Sequence, residues 1–120
     1  MMITYKSDSE RAIVEIAVEG KITLVDIEEV FAKFKADVAR CGKVKVLETI
    51  GRIDGIEPSA LWQDLKLGLP MMNAVSHAAL VTDQTWINVL TDVAQYFLPA
   101  KVRHFASTEA GAARAWLEAA

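Results

Sequence analysis

The chain has 120 residues, a length that fits one domain able to bury roughly 65% of its unfolded surface. Its net charge of −3 and lack of any basic run exclude the composition typical of nucleic-acid-binding proteins. The single cysteine, Cys41, excludes an internal disulfide, and no apolar run approaches the roughly 20 residues that a membrane-spanning helix needs. Since no signal-peptide pattern is present, we expect a cytoplasmic protein.

Apolar residues make up 52% of the chain, which is more than one small core requires. This surplus predicts an oligomer interface, a ligand cavity or a membrane-facing surface.

The chain begins with two β-prone runs, at residues 2–6 and 12–19, joined by a short polar segment. Because so short a connection cannot make a parallel crossover, we expect a hairpin. A helix follows, with Thr23 as N-cap, Asp26 three residues later and Gly42 at the C-terminal end. Its apolar residues recur at steps of three and four, as one stripe: Ile27, Val30, Phe31, Phe34 and Val38.

The remainder alternates between strand and helix patterns. We predict a strand at residues 43–50, a loop at 51–57, and a helix from Pro58 that kinks or restarts at Pro70. A continuous apolar strand at 77–82 precedes a helix capped by Asp83 or Thr85, and a last strand at 101–105 precedes a helix capped by Ser107 or Thr108. The order β-β-α-β-α-β-α-β-α predicts an α/β fold with a mostly parallel five-stranded sheet and four helices.

Four charged residues lie near the predicted carboxyl ends of strands, where ligand sites of open α/β sheets gather: Glu48, Arg52, Asp54 and Asp83. A partly buried Glu48 would have a raised pKa and accept a proton. The alternative, which we favour, is that Glu48 pairs with Arg52 or accepts backbone hydrogen bonds. Three apolar side chains in the helical stripes are candidates for lining a pocket: Trp62, Leu65 and Trp86.

Nothing in the sequence makes a recognisable catalytic or metal-binding set. His77 and His104 are too far apart in the chain for the usual metal-ligand spacing, and Gly51 and Gly55 match no phosphate-binding glycine pattern. Cys41 beside a helix end is better explained as a small packing side chain than as a nucleophile. We therefore expect a protein without metal, cofactor or catalytic residues.

Several segments in collinear order resemble the SpoIIAA-like family, small relatives of the STAS domains and anti-sigma-factor antagonists. The matching segments are GKIT at 20–23, KVKVLE at 43–48, ALWQDLK at 60–66, ALVTD at 79–83, VRHF at 102–105 and AWL at 115–117. The resemblance implies a β/α fold in the bacterial cytoplasm and, through the related CRAL-TRIO domains, an apolar ligand or membrane contact.

The chain departs from that family where antagonists carry a phosphorylatable serine. Their Asp-Ser-Ser-Gly-type loop is replaced by IDGIEPS at residues 53–59, so only Ser59 stands near the helix start. The phosphorylation switch is therefore not carried over, although Ser59 stays a candidate modification site.

These observations lead to three hypotheses. The first is a non-enzymatic domain that forms a homo-oligomer, most simply a dimer, and binds an apolar ligand or a membrane surface. Its contact residues would be Leu67 and Met71, which oppose the core stripe of their helix, together with Ile56 in the loop before it. The second is a partner-switching regulator with a degenerate phosphorylation site, and the third is a small enzyme that uses Glu48 with Asp83 or His104.

Overall fold

The computed structural model describes residues 2–56, 70–85 and 99–120, together with positions 59, 63 and 66. Within these residues lie five strands and two α-helices. Their bounds are β1 Met2–Asp8, β2 Ile13–Ile22, α1 Leu24–Cys41, β3 Val44–Ile56, β4 Val75–Val81, β5 Lys101–Phe105 and α2 Ala110–Ala119. Of the helix predicted from Pro58, the single positions 59, 63 and 66 are helical, and the helix predicted from Trp86 lies outside the described residues.

The five strands form one sheet in the order β1-β2-β3-β4-β5. The predicted hairpin is confirmed, because β1 pairs with β2 antiparallel over seven consecutive residue pairs from Met2 to Asp8. The pairings β2–β3, β3–β4 and β4–β5 are parallel. This ladder places four side chains in one row across the sheet: Ile16, Glu48, Leu80 and His104.

Helix α1 begins and ends at the predicted residues. The Thr23 backbone N–H donates to Asp26 Oδ2 at 3.0 Å, and the Asp26 N–H donates to Thr23 Oγ1 at 3.4 Å, which completes a capping box. At the other end, Gly42 adopts a φ of +81° and donates its N–H to the Val38 carbonyl at 2.7 Å. Glycine is favoured there because residues with a side chain rarely adopt a positive φ.

The sheet is packed on both faces. On one face α2 packs on the sheet, and the buried cluster is Ile13, Leu47, Ala79, Val81, Phe105, Ala113 and Leu117. On the other face lies α1, and the buried cluster is Val14, Phe34, Val44, Val75 and Ala100. Lys45 fixes the end of α2 by donating to the carbonyl oxygens of Leu117 at 2.9 Å and Ala120 at 2.7 Å. Neither described helix has the length and apolar composition needed to cross a membrane.

The predicted loop at residues 51–57 is wrong for most of its length, since β3 continues to Ile56. Its last residues pair with the end of β2 through two register shifts, so that Gly20 lies opposite Ile53 and Ile22 opposite Ile56. A Cβ on Gly51 would lie 3.1 Å from the Cβ of Glu19. Gly51 therefore permits close approach of two strands, where the sequence pattern indicated a turn.

The predicted cap of the last helix is also wrong. Ser107 lies in a 3-10 turn, Ser107–Glu109, before α2. The Ala106 N–H donates to Glu109 Oε1 at 2.9 Å, while Ser107 bonds to Asp83. Ser107, which the sequence pattern assigns as the helix cap, therefore links the segment after β5 to Asp83 in the segment after β4.

Candidate functional site

The four charged residues predicted at the carboxyl end of the sheet occupy three different settings. Glu48 lies in the middle of β3, opposite Ile16 of β2 and Leu80 of β4, and is half-buried on the face that α1 covers. Arg52 lies further along β3, beyond the last residue that pairs with β4. The structure therefore spreads these groups along the strands.

Arg52 and Asp54 form an ion pair at the exposed end of β3. Arg52 Nε lies 3.2 Å from Asp54 Oδ1, and the two side chains are 91% and 59% exposed. Opposite charges in such exposed positions contribute little to stability, about 0–1 kcal/mol. The pair therefore adds little to the stability of this end of β3.

Asp83 is held by Ser107. The Ser107 N–H donates to Asp83 Oδ1 at 2.9 Å, and the Ser107 hydroxyl donates to Oδ2. The hydroxyl bond, and after it the backbone bond, lowers the pKa of Asp83. A carboxylate stabilised in this way is a weak general base, so its first role is to join the segment after β4 to the segment after β5.

A second link at the same end joins β4 to β3. Gln84 Nε2 donates to the Gly51 carbonyl at 2.6 Å, and the Gln84 N–H donates to Thr82 Oγ1 at 3.1 Å. Since β4 ends at Val81, the Gln84 amide satisfies a carbonyl that a longer β4 would have paired. The Gln84 amide and the Asp83 carboxylate therefore hold the ends of neighbouring strands together.

Apolar side chains lie at the same end of the sheet as the Arg52–Asp54 pair. Ile27 of α1 and Ile53 of β3 pack, partly buried, against the buried pair Val18 and Ile22. Val25, in the first turn of α1, is 61% exposed, and it is the large apolar side chain that stands out as exposed in the described part of the chain. We call Val25, Arg52, Ile53 and Asp54 the end surface.

The two histidines are on opposite faces of the sheet. His77 lies between Lys45 and Lys101 in the ladder, its ring 5.5 Å from that of Trp116 in an edge-on arrangement. Burial, followed by the charges of Lys101 and Lys45, lowers the pKa of His77. Across residues 2–56, 70–85 and 99–120, no three His, Cys, Asp or Glu side chains converge as they would around a metal ion.

Sequence reasoning missed a polar cluster between α1 and β1. Asp37 is only 4% exposed; the Tyr5 hydroxyl donates to its carboxylate, and Arg40 forms an ion pair with it. Asp37 falls three residues after Phe34 in the apolar stripe of α1, and this spacing could have identified it as buried. The adjoining cleft, between the α1 end and the hairpin, is too narrow to hold a water molecule.

The remaining predicted site residues fall largely outside the described part of the chain. These are Trp62, Leu65, Leu67, Trp86 and the side chain of Ile56. Met71 is half-buried and packs against the core on the α1 face, so part of its side chain serves packing. Ser59 is helical and exposed.

Comparison with known protein families identifies the family of this chain. A family model described as SpoIIAA-like matches residues 13–118. The chain belongs to the SpoIIAA-like family. A comparison with curated protein sequences gives no significant match.

Two solved structures share this SpoIIAA-like fold. One is an uncharacterised protein of the DUF3478 family from Shewanella loihica PV-4, 26% identical, with a TM-score of 0.78 over 97% of this chain and 92% of that one. The other is the anti-sigma factor antagonist SpoIIAA in its unphosphorylated form, 15% identical, with a TM-score of 0.65 over 96% and 98% of the two chains. The second likeness shows the fold alone.

Proposed function

We propose that this SpoIIAA-like domain is a non-catalytic interaction module that forms a two-fold dimer through its end surface. The observation that carries the proposal is the exposed end of β3, where Arg52 and Asp54 form an opposite-charge pair on either side of Ile53 in the strand, together with the exposed Val25 at the same end of the sheet. Self-association also accounts for the apolar surplus of the composition.

The charges of the end surface are self-complementary. In a two-fold dimer, residue i of one protomer contacts residue j of its partner, and j contacts i. Two β3 ends that run antiparallel about Ile53 place Arg52 of each protomer beside Asp54 of the other. Apolar contacts from Ile53 and Val25 then fill the centre, with the ion pairs at the rim.

The polar groups near this surface favour binding over catalysis. Asp83 is engaged by Ser107, and Arg52 and Asp54 neutralise each other. A catalytic acid or base needs a pKa close to the working pH, and the pKa of Asp83 is shifted away from it. The Asp83 carboxylate and the Gln84 amide instead hold together the strand ends next to the end surface.

Sedimentation velocity over a concentration series tests the dimer. Val25→Glu should weaken dimerisation at least about tenfold, because it places a charge in an apolar contact. The variant should still fold, since an acidic residue in the first turn of a helix is favourable. The matched control is Ala36→Glu, the same charge at another exposed position of α1.

A charge swap tests the orientation. Arg52→Asp and Asp54→Arg should each weaken the dimer, because like charges then face each other across the two-fold axis. The double variant Arg52→Asp/Asp54→Arg should restore it. A wild-type chain that stays monomeric at high micromolar concentration, or a double variant weaker than either single one, refutes the interface.

A second candidate function is partner switching, which Ser59 favours because its hydroxyl is exposed on a helical position. The structural neighbour described as an anti-sigma factor antagonist makes this a natural comparison. Mass spectrometry of the protein from its native cells should then find phosphate on Ser59. A fully unmodified Ser59 under every growth condition tested would argue against it.

Binding of an apolar ligand or membrane surface is the remaining part of the hypothesis. Its candidate residues Trp62, Leu65 and Trp86 lie outside the described part of the chain. Native mass spectrometry after gentle purification should detect a bound lipid-like mass, and vesicle sedimentation should detect membrane binding. A ligand-free mass with no vesicle binding removes this part and leaves the dimer proposal intact.

A further inference from the structure

Strand β5 forms one border of the sheet. It pairs with β4 on one side, and in the described ranges no strand pairs with its other side. The Thr82 N–H donates to the Phe105 carbonyl at 3.0 Å, so the polar backbone groups of Phe105 face β4. Because these groups alternate along a strand, those of Val102 face away from β4.

The side chains of β5 make this border basic. Lys101 and Arg103 are exposed and, being two residues apart, lie on the same face as Phe105. The Arg103 guanidinium lies 4.9 Å over the Phe105 ring, which holds it in place. Lys101 lies opposite His77 in the ladder.

The basic side chains on this face of the sheet differ in whether they have a carboxylate partner. On the β1–β2 side, Arg114 lies 2.6 Å from Glu15 and 3.1 Å from Glu118, and Arg11 lies 3.0 Å from Glu118. Within the described residues, by contrast, neither Lys101 nor Arg103 has a carboxylate partner. A chain of net charge −3 thus keeps these two cations side by side at a strand border.

We propose that the open border of β5 binds an extended acidic segment of another protein, with Asp or Glu at alternate positions. Side chains two residues apart in a strand repeat every 6.6–6.8 Å or so. An added strand therefore carries alternate carboxylates at the same spacing as Lys101 and Arg103. Backbone bonds to Val102 supply affinity, and the two cations select acidic residues, as in other complexes formed by strand addition.

This surface is separate from the end surface, so it stands or falls independently of the dimer. Basic residues on border strands also prevent unwanted strand pairing, and a cationic surface can attract nucleic acid. The regular two-residue spacing favours an acidic strand. Three roles of the two cations can be separated: binding an acidic strand, preventing unwanted strand pairing, and binding nucleic acid. Binding measurements with matched peptides and with single-stranded DNA distinguish them.

The experiment is fluorescence anisotropy with the full chain and two labelled peptides of equal composition. One carries Glu at alternate positions among Thr and Val, and the other has its Glu residues contiguous at one end. We expect the alternating peptide to bind at least about tenfold more tightly, with affinity falling as salt rises.

Two variants locate the site. Lys101→Glu/Arg103→Glu should reduce binding at least about tenfold, whereas the control Lys35→Glu/Lys66→Glu, with the same charge change at exposed positions elsewhere, should not. Val102→Pro removes an outward N–H and leaves the ladder to β4 intact, so it should also weaken binding while circular dichroism shows a folded sheet.

Four results overturn the proposal. In the first, neither peptide binds, which leaves protection against aggregation as the role of the two cations, and in the second both peptides bind equally. In the third, the control variant loses as much peptide affinity as Lys101→Glu/Arg103→Glu. In the fourth, an oligothymidylate binds more tightly than the alternating peptide.

Discussion

The carboxylate of Asp83 accepts two hydrogen bonds from Ser107, one from the backbone N–H at 2.9 Å and one from the hydroxyl. The two residues are 24 positions apart, yet they join the segments that leave β4 and β5. This link also explains the lowered pKa of Asp83, because both bonds favour the charged carboxylate.

Asp83→Ala should therefore lower the free energy of unfolding at neutral pH. A group whose folded-state pKa is lowered stabilises the fold above its unfolded-state pKa, here 3.8, and loses that contribution as pH falls through the folded-state value. Urea unfolding at pH 7 and at pH 3 should show a smaller difference between wild type and variant at the lower pH. In a double-mutant cycle with Ser107→Ala, additive effects would contradict the link.

The sequence placed Asp83 at the correct end of the sheet but assigned it to a ligand cluster or a helix cap. Its partner depends on where β5 ends, which no local pattern reveals. The same limit applies to Gly51, where glycine indicated a loop although it accommodates close approach to Glu19 within paired strands. Where the determinants are local, as for Thr23 and Gly42 around α1, the predicted bounds are confirmed.

Tyr5→Phe should destabilise the fold by about 1.5–3 kcal/mol, the usual worth of a hydrogen bond to a charged group. The Tyr5 hydroxyl donates to the buried carboxylate of Asp37, which in the variant keeps its ion pair with Arg40. Urea unfolding measures the change. Thr4→Val, at an exposed position of the same strand, is the control and should stay within about 0.5 kcal/mol of wild type.

The same cluster has a spectroscopic signature. Burial raises the pKa of Tyr5 above its ordinary value of 10.0, although the charge of Arg40 opposes the shift. Ultraviolet difference titration should therefore show one tyrosine ionising above pH 10 in wild type and missing from Tyr5→Phe. A normal titration of Tyr5 would contradict its burial against α1.

Thr23→Ala should cost about 1 kcal/mol, within the 0.5–2 kcal/mol range of N-cap replacements. It removes the hydroxyl that accepts from the Asp26 N–H, while the backbone half of the capping box remains. Thermal and urea unfolding measure the loss. Ser9→Ala, in the exposed hairpin turn, is the matched control, and an equal effect of both changes would show that the cap contributes nothing.

His77 should make stability depend on pH just below neutrality. Its pKa is lowered from 6.5, first by burial and then by Lys101 and Lys45, while Ser76 Oγ lies 3.1 Å from Nδ1 and Trp116 packs against the ring. Between the folded-state pKa and 6.5 the unfolded chain binds more protons than the native chain, so the free energy of unfolding falls as pH falls through that window. Below the folded-state pKa the loss is complete.

His77→Gln should remove this part of the pH dependence, whereas His104→Gln, on the opposite face of the sheet, should retain it. Free energies of unfolding measured from pH 8 to pH 5 test the difference: if packing on Trp116 is kept, wild type should match the variant at pH 8 and fall below it towards the acidic end. Lys101→Gln should reduce the slope without abolishing it, because burial is the larger cause. Parallel curves for wild type and His77→Gln would show that His77 takes up its proton equally in the folded and unfolded chain.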